Sequence, residues 1–317
     1  MDYAVTAWQE QLPAGLAHKE VADVCVDAAG RVFLYARYDH AVLAYDRDGA
    51  FLRSWGKEIF GRSHGITAGP DGAIYCVDDG AHAVRKFSPD GELLLTLGTP
   101  NEPAQTGYDG KDSDTIRCSA GPFNRCTSLG VAPNGDLYVA DGYGNARVHR
   151  FSARGELLRS WGEPGRGPGQ FRIPHGIYVL RDGRVLVADR ENHRIQFFDP
   201  EGTYLEEWTD LQRPCAIDVD PQGRIYVAEL LFGEKPGRVS VFEPTGRLVA
   251  RWGEYGHEPG KFIAPHGIAV DAGGDVYVAE VCWTLAGRQG KVPPDCHQIQ
   301  RFTRVEAARP AGAKGAA

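Results

Sequence analysis

The sequence predicts an all-β protein, a six-bladed β-propeller with four antiparallel strands in each blade. Three observations carry that prediction. Glycine is abundant, 40 of 317 residues, without a collagen-like period, so the chain turns often and its strands are short. A unit anchored on a turn glycine recurs six times, at Gly30, Gly72, Gly135, Gly183, Gly223 and Gly274, as even repetition in propellers requires. The sixth unit lacks its last strand, and the N-terminus holds a segment that resembles it.

Each unit follows one order. A short apolar run leads into the anchor glycine. The second strand then alternates, as RVFLYA, AIYCVD, DLYVAD, RVLVAD, RIYVAE and DVYVAE, the pattern of a half-buried strand. A third strand ends in an aromatic before its last residue: VLAYD, VRKFS, VHRFS, IQFFD, VSVFE and IQRFT. A second turn (DRDG, SPDG, SARG, DPEG, EPTG) and a fourth strand ending in Trp-Gly or a relative (LRSWG, LLTLG, LRSWG, LEEWT, VARWG) complete the first five units. Residues 3–9, YAVTAWQ, supply the missing strand of the sixth, with Trp8 in the tryptophan slot. This closure leaves no open sheet edge. The expected domain is residues 1–306, one propeller, followed by a disordered tail at 307–317, ending RPAGAKGAA. Two insertions break the period. Residues 99–122 link blades two and three and are long enough for a lid, and residues 282–296 separate the second and third strands of blade six.

Composition excludes several functions. The formal net charge of −7 is wrong for gripping nucleic acid or an anionic membrane. No apolar run approaches the length of a membrane span. The N-terminal MDYAVTAWQEQLPAG lacks the basic and apolar regions of a secretion signal. Seven scattered cysteines, Cys25, Cys76, Cys118, Cys126, Cys215, Cys282 and Cys296, form no Cys-x-x-Cys pair. Free thiols in a reducing compartment are expected, so the location read from the sequence is cytoplasmic. No obligate protein partner is evident.

The anchor glycines also serve as a ruler. The first strand of each blade lines the central channel, so residues at equal distance from the anchors share one height. Eight residues before each anchor stand Ala22, His64, Thr127, His175, Cys215 and His266. Histidine fills the slot only in blades two, four and six, each time as His-Gly-Ile. Alternate blades of six lie about 120° apart, so three imidazoles converge on the axis. Three protein ligands with an open fourth position is the arrangement of a catalytic metal site. Cys215 is read as a small buried thiol rather than a fourth ligand. Seven residues after the anchors, Arg37 and Arg190 face each other from blades one and four. Two guanidiniums suit a carboxylate substrate; pairing with neighbours such as Asp39 or Glu191 is the competing reading. One position further in blade three is Tyr143, between two glycines in DGYGNAR. A tyrosine of ordinary pKa, about 10, is a poor base, and a neighbouring metal and arginine improve one. The bland alternative is an aromatic packed at the channel mouth.

At DGYGNAR and ADRENHRIQFFD the chain resembles the NHL-repeat propellers, and within them the peptidyl-α-hydroxyglycine α-amidating lyases. The resemblance covers blades one to four and the first strand of blade six. Members of that family hold a catalytic zinc on three histidines in strings such as Pro-His-Gly-Leu, Pro-His-Ser-Leu and Pro-His-Asp-Ile. SHGI, PHGI and PHGI match them here, which assigns the metal to His64, His175 and His266. The family's catalytic tyrosine, in Asp-Gly-Tyr-x-Asn-Ser-Arg, corresponds to Tyr143. Its arginine in Ala-Asp-Arg-Glu-Asn corresponds to Arg190, and its first-blade arginine to Arg37 of ARYDH. Three departures stand out. The family's structural calcium uses carbonyls matching Val24 and Ile66 and an aspartate after the third histidine, where this chain has Gly267, so a calcium site is not expected. Its disulfide beginning beside the tyrosine meets Gly144. The secretion signal and monooxygenase that accompany familiar animal members have no counterpart here.

The resemblance implies a metal-dependent carbon–nitrogen lyase that takes a small carboxylate substrate, an N-acyl or N-carbamoyl α-hydroxy acid. The products would be an amide and glyoxylate. Zinc is the expected metal, with iron and manganese compatible with histidine ligands. The alternatives are a metal-dependent hydrolase of a small carboxylate using the same site, and a non-catalytic NHL scaffold.

Overall fold

A computed structural model describes residues 2–305 apart from 7, 17, 38–40, 294 and 295. The tail at 307–317 and Asp39 therefore lie outside the described residues.

Six four-stranded antiparallel sheets form the blades. Blade one comprises Glu20–Val26, Val32–Arg37, Val42–Tyr45 and Phe51–Trp55. Blades two and three begin with Ser63–Ala68 and Cys126–Val131, and blades four and five with Pro174–Val179 and Pro214–Val219. Blade six begins with Pro265–Val270. The first strand of each blade touches the first strand of the next, and that of blade six returns to blade one, so the ring is closed. All six anchor glycines have φ between 79° and 90°. An L side chain is strained in that left-handed region, which is why the repeat is legible through glycine.

The N-terminal strand Asp2–Thr6 is the fourth strand of blade six, paired antiparallel to Ile299–Val305 from Asp2 opposite Val305 to Thr6 opposite Arg301. It is shorter than the 3–9 segment read from the sequence. Trp8 nevertheless occupies the tryptophan slot. Its ring lies 5.6 Å from Tyr277 of its own blade and 6.0 Å from Tyr45 of the next. Trp161 of blade three repeats these contacts, 6.1 Å from Tyr138 and 5.8 Å from Phe198. Such interblade clusters form the core. One joins Tyr138, Ala140 and Trp161 to Val185, Val187 and Phe198 of the next blade.

Both insertions lie at one mouth of the channel. In the first, Thr106 Oγ1 donates to the Gly144 carbonyl at 2.5 Å and accepts from Asn124 Nδ2 at 3.3 Å. The 99–122 segment thus walls the side of the mouth where Tyr143 stands. The second insertion carries one helical turn, Cys282–Leu285. Thr284 donates to buried Glu20 through its backbone N–H at 2.5 Å and its hydroxyl at 2.8 Å. All seven cysteines are free thiols. Among the described residues, no helix is long and apolar enough to cross a membrane.

Candidate metal centre

In every first strand the pairing with the second strand is interrupted at the slot residue by a bulge. A bulge leaves one residue outside the ladder and re-aims it. In blades two, four and six the residue so re-aimed is His64, His175 or His266. In the intervening blades the bulge frees a carbonyl. Nδ1 of His64 donates to Thr127 O at 2.6 Å, Nδ1 of His175 to Cys215 O at 2.8 Å, and Nδ1 of His266 to Ala22 O at 2.7 Å. A carbonyl only accepts, so each Nδ1 carries the proton and each Nε2 presents a lone pair to the axis.

The three rings form a nearly equilateral triangle, with centroids 4.7, 4.7 and 4.9 Å apart. Their ligand atoms lie within 4.8 Å of one another, and among the described residues this is the one group of three or more His, Cys, Asp or Glu so disposed. Burial pushes all three imidazoles well below the ordinary histidine value, and neighbouring charges push the same way: the other histidines at His64, Arg190 at His175, Arg37 at His266. Neutral imidazoles with fixed tautomers and convergent lone pairs are a donor set able to hold one metal ion.

Tyr143 reaches this centre from the turn after the second strand of blade three. Its hydroxyl lies 3.1 Å from Nε2 of both His64 and His175. The flanking glycines make the approach sterically feasible. A Cβ on Gly142 would stand 2.0 Å from Pro174 O, and one on Gly144 would stand 2.1 Å from Asn124 Oδ1. Arg190 Nη1 donates to the Tyr143 hydroxyl at 3.3 Å while its Nε donates to Glu191 at 2.9 Å. The pairing of Arg190 with its neighbour Glu191 is therefore present. Arg37 donates through Nε to Ser63 O at 2.8 Å and through Nη1 to Glu20 at 2.6 Å; its buried Nη2 has no partner among the described residues. At Gly267, a Cβ would stand 2.3 Å from Asp23 Oδ1, so the carboxylate of blade one already fills the space of an aspartate side chain there.

The NHL repeat model matches residues 123–151 and 171–198. NHL repeat-containing protein 3 of Homo sapiens is 33% identical over 278 residues, covering 81% of this chain and 76% of that protein. The chain belongs to the NHL-repeat family. This NHL-repeat protein is also 32% identical over 252 residues to peptidyl-alpha-hydroxyglycine alpha-amidating lyase 1 of Drosophila melanogaster, covering 72% of this chain and 44% of that protein. It thus spans less than half of that relative. Among solved structures it resembles a streptogramin B lyase with a TM-score of 0.62 and 15% identity, over 95% of this chain and 97% of that one. At that identity the likeness concerns the fold alone.

Several residues of the NHL-repeat protein's mouth escape the two registers read from the sequence. Two residues before the histidine slot stand Glu20, Arg62, Arg125, Ile173, Arg213 and Ala264. Apart from Glu20 these residues precede the first strands, and Arg125, Ile173 and Arg213 have left-handed φ, so counting two positions back from the slot finds them although strand alternation does not orient them. Arg62 pairs with Asp79, which also faces Arg125 at 3.6 Å, and Arg213 pairs with Glu191 at 2.7 Å. Burial raises the Asp79 carboxyl above the usual range against the pull of Arg62 and Arg125.

Proposed function

We propose that this protein is a metal-dependent carbon–nitrogen lyase. Its substrate would be an N-acyl or N-carbamoyl α-hydroxy acid, R–CO–NH–CH(OH)–COO⁻, cleaved to an amide and glyoxylate. One observation carries this reading: a tyrosine hydroxyl stands 3.1 Å from two of three convergent imidazole Nε2 atoms and 3.3 Å from an arginine. Identity to an amidating lyase supports the reaction class.

His64, His175 and His266 would hold the metal, most simply zinc, which supplies Lewis acidity toward a substrate oxygen when bound. Tyr143 acts as general base on the substrate hydroxyl. As the hydroxyl oxygen becomes the aldehyde of glyoxylate, the C–N bond breaks and its electron pair goes to nitrogen. The nitrogen takes a proton, and the one Tyr143 has just accepted balances it. Arg190, donating to the phenolic oxygen, stabilises the negative charge that Tyr143 carries as a base. Arg37, which lines the cleft and whose Nη2 has no hydrogen-bond partner among the described residues, is the carboxylate anchor. The structure thereby supports a division of labour between two arginines that the sequence leaves open.

A scaffold has no use for three inward imidazoles with fixed tautomers. The deciding experiment combines elemental analysis of the purified protein with glyoxylate detection across a panel of α-hydroxyamides. The reading predicts one equivalent of transition metal and glyoxylate release, both lost in His175→Ala. Protein with no stoichiometric metal, and activity indifferent to that substitution, would end it.

A further inference from the structure

Five arginines surround the mouth above the histidines, and three carboxylates answer them. Arg37 pairs with Glu20, Arg62 and Arg125 share Asp79, and Arg190 and Arg213 share Glu191. These five outnumber the three carboxylates by two, and Lys57, Glu58 and Arg288 line the cleft beside Arg37 and Arg62, so the mouth is cationic in a chain whose formal net charge is −7. The lyase reading places Arg37 on one carboxylate and Arg190 on Tyr143. It makes no use of Arg62 or Arg125.

Those two arginines are built alike. Each stands two residues before the histidine slot, in adjacent blades, and each guanidinium carbon lies 5.8 Å from the centroid of the Tyr143 ring. Asp79 beneath them is fully buried, with Oδ2 facing both guanidiniums and Oδ1 lacking a partner. One carboxylate shared by two guanidiniums holds their heads in place and neutralises only one of them. The side chains of Arg62 and Arg125 remain 32% and 27% exposed, so the surplus charge faces the mouth. Tyr108, from the 99–122 wall, stands beside Arg125, whose positive charge opposes the rise that burial gives its phenol. Arg62 also lines, with Arg37, a cleft of about 460 Å³. An anion at Arg62 and one at Arg37 would share that cleft.

We propose that Arg62 and Arg125, clamped by Asp79, form a second anion subsite, and that the substrate is an N-acyl α-hydroxy acid whose acyl arm ends in a second carboxylate. Arginine forks suit carboxylate geometry. This inference rests on the lyase reading for its α-hydroxy acid, and its test separates the two.

The test compares N-succinyl-α-hydroxyglycine with its neutral isostere N-succinamyl-α-hydroxyglycine on the metal-loaded protein. The wild type should favour the succinyl compound by at least about tenfold in kcat/KM, chiefly through KM, as a charge-assisted hydrogen bond provides. In Arg62→Gln and Arg125→Gln, each checked for an intact melting transition, that ratio should fall toward one. A wild-type ratio near one, or a ratio unmoved by both substitutions, overturns the subsite while leaving the lyase standing. If neither compound releases glyoxylate, the lyase reading is what fails. The subsite is then decided by calorimetric titration with N-succinylglycine and N-succinamylglycine, which lack the reactive hydroxyl. Tighter binding of the dicarboxylate that Arg125→Gln abolishes sustains it, and equal affinities overturn it.

Discussion

Lowering the pH from 7.5 to 5.5 tests the metal centre without altering a residue. For three histidines of ordinary pKa, about 6.5, each imidazole must lose a proton before it ligates. Their joint competition for protons would weaken apparent metal affinity roughly a thousandfold over those two pH units. Here burial and nearby cations hold all three imidazoles well below that value, and Nδ1 of each is already committed to a carbonyl. The sign follows directly. A depressed value means that the folded protein stays unprotonated as the pH falls through 6.5, so there is no proton to displace, and most of the thousandfold loss should be absent. The assay is equilibrium dialysis of the apo-protein against zinc buffers of defined free concentration at both pH values, with a melting curve at each to show that the protein is folded. A loss close to the full thousandfold would refute the argument. The imidazoles would then be titrating as exposed histidines do.

Other expectations follow from single contacts. Tyr143→Phe should retain the metal and lower the rate by about 10²–10⁴, the usual contribution of a general base; elemental analysis beside glyoxylate release checks it, and an undiminished rate removes Tyr143 from the chemistry. Arg37→Gln should act mainly on KM, because a ground-state carboxylate loses its anchor, while Arg190→Gln should act mainly on kcat; the reverse pattern would exchange their roles. Gly142→Ala drives a Cβ to 2.0 Å from Pro174 O, so activity should fall while metal content is kept. Trp8→Ala removes a ring packed between Tyr277 and Tyr45, costing about 3–5 kcal/mol. In a chain of this size that lowers Tm by roughly 6–10 °C, and a shift comparable to that of Trp161→Ala is the mark of a true blade tryptophan. An unchanged Tm would show that Trp8 does not close the ring.

How much of this was legible without coordinates depends on distance along the chain. The blade repeat is local: a turn needing left-handed φ selects glycine, and an alternating strand follows it. Six anchors therefore disclosed the propeller, and counting from them placed His64, His175 and His266 at one height. The closing strand was legible through Trp8, although the strand itself, Asp2–Thr6, is shorter than the sequence pattern implied. Arg62 and Arg125 were within reach of the same ruler, two positions before the histidine slot.

Partnership between blades belongs to the tertiary structure alone. His266 finds its acceptor at Ala22, 244 positions away, and Glu20 joins Arg37 to Thr284, 264 positions away. Sequence spacing set the height of each side chain, but bulges set its direction, and closure of the ring set which neighbour it met. A carbonyl freed by a bulge carries no side-chain signature, so the tautomer of each histidine was invisible in the amino-acid string. The same holds for the arginines. Which guanidinium touches Tyr143, which ends on an unpartnered Nη2, and which two share one buried carboxylate are decided by contacts between strands that the chain order keeps apart.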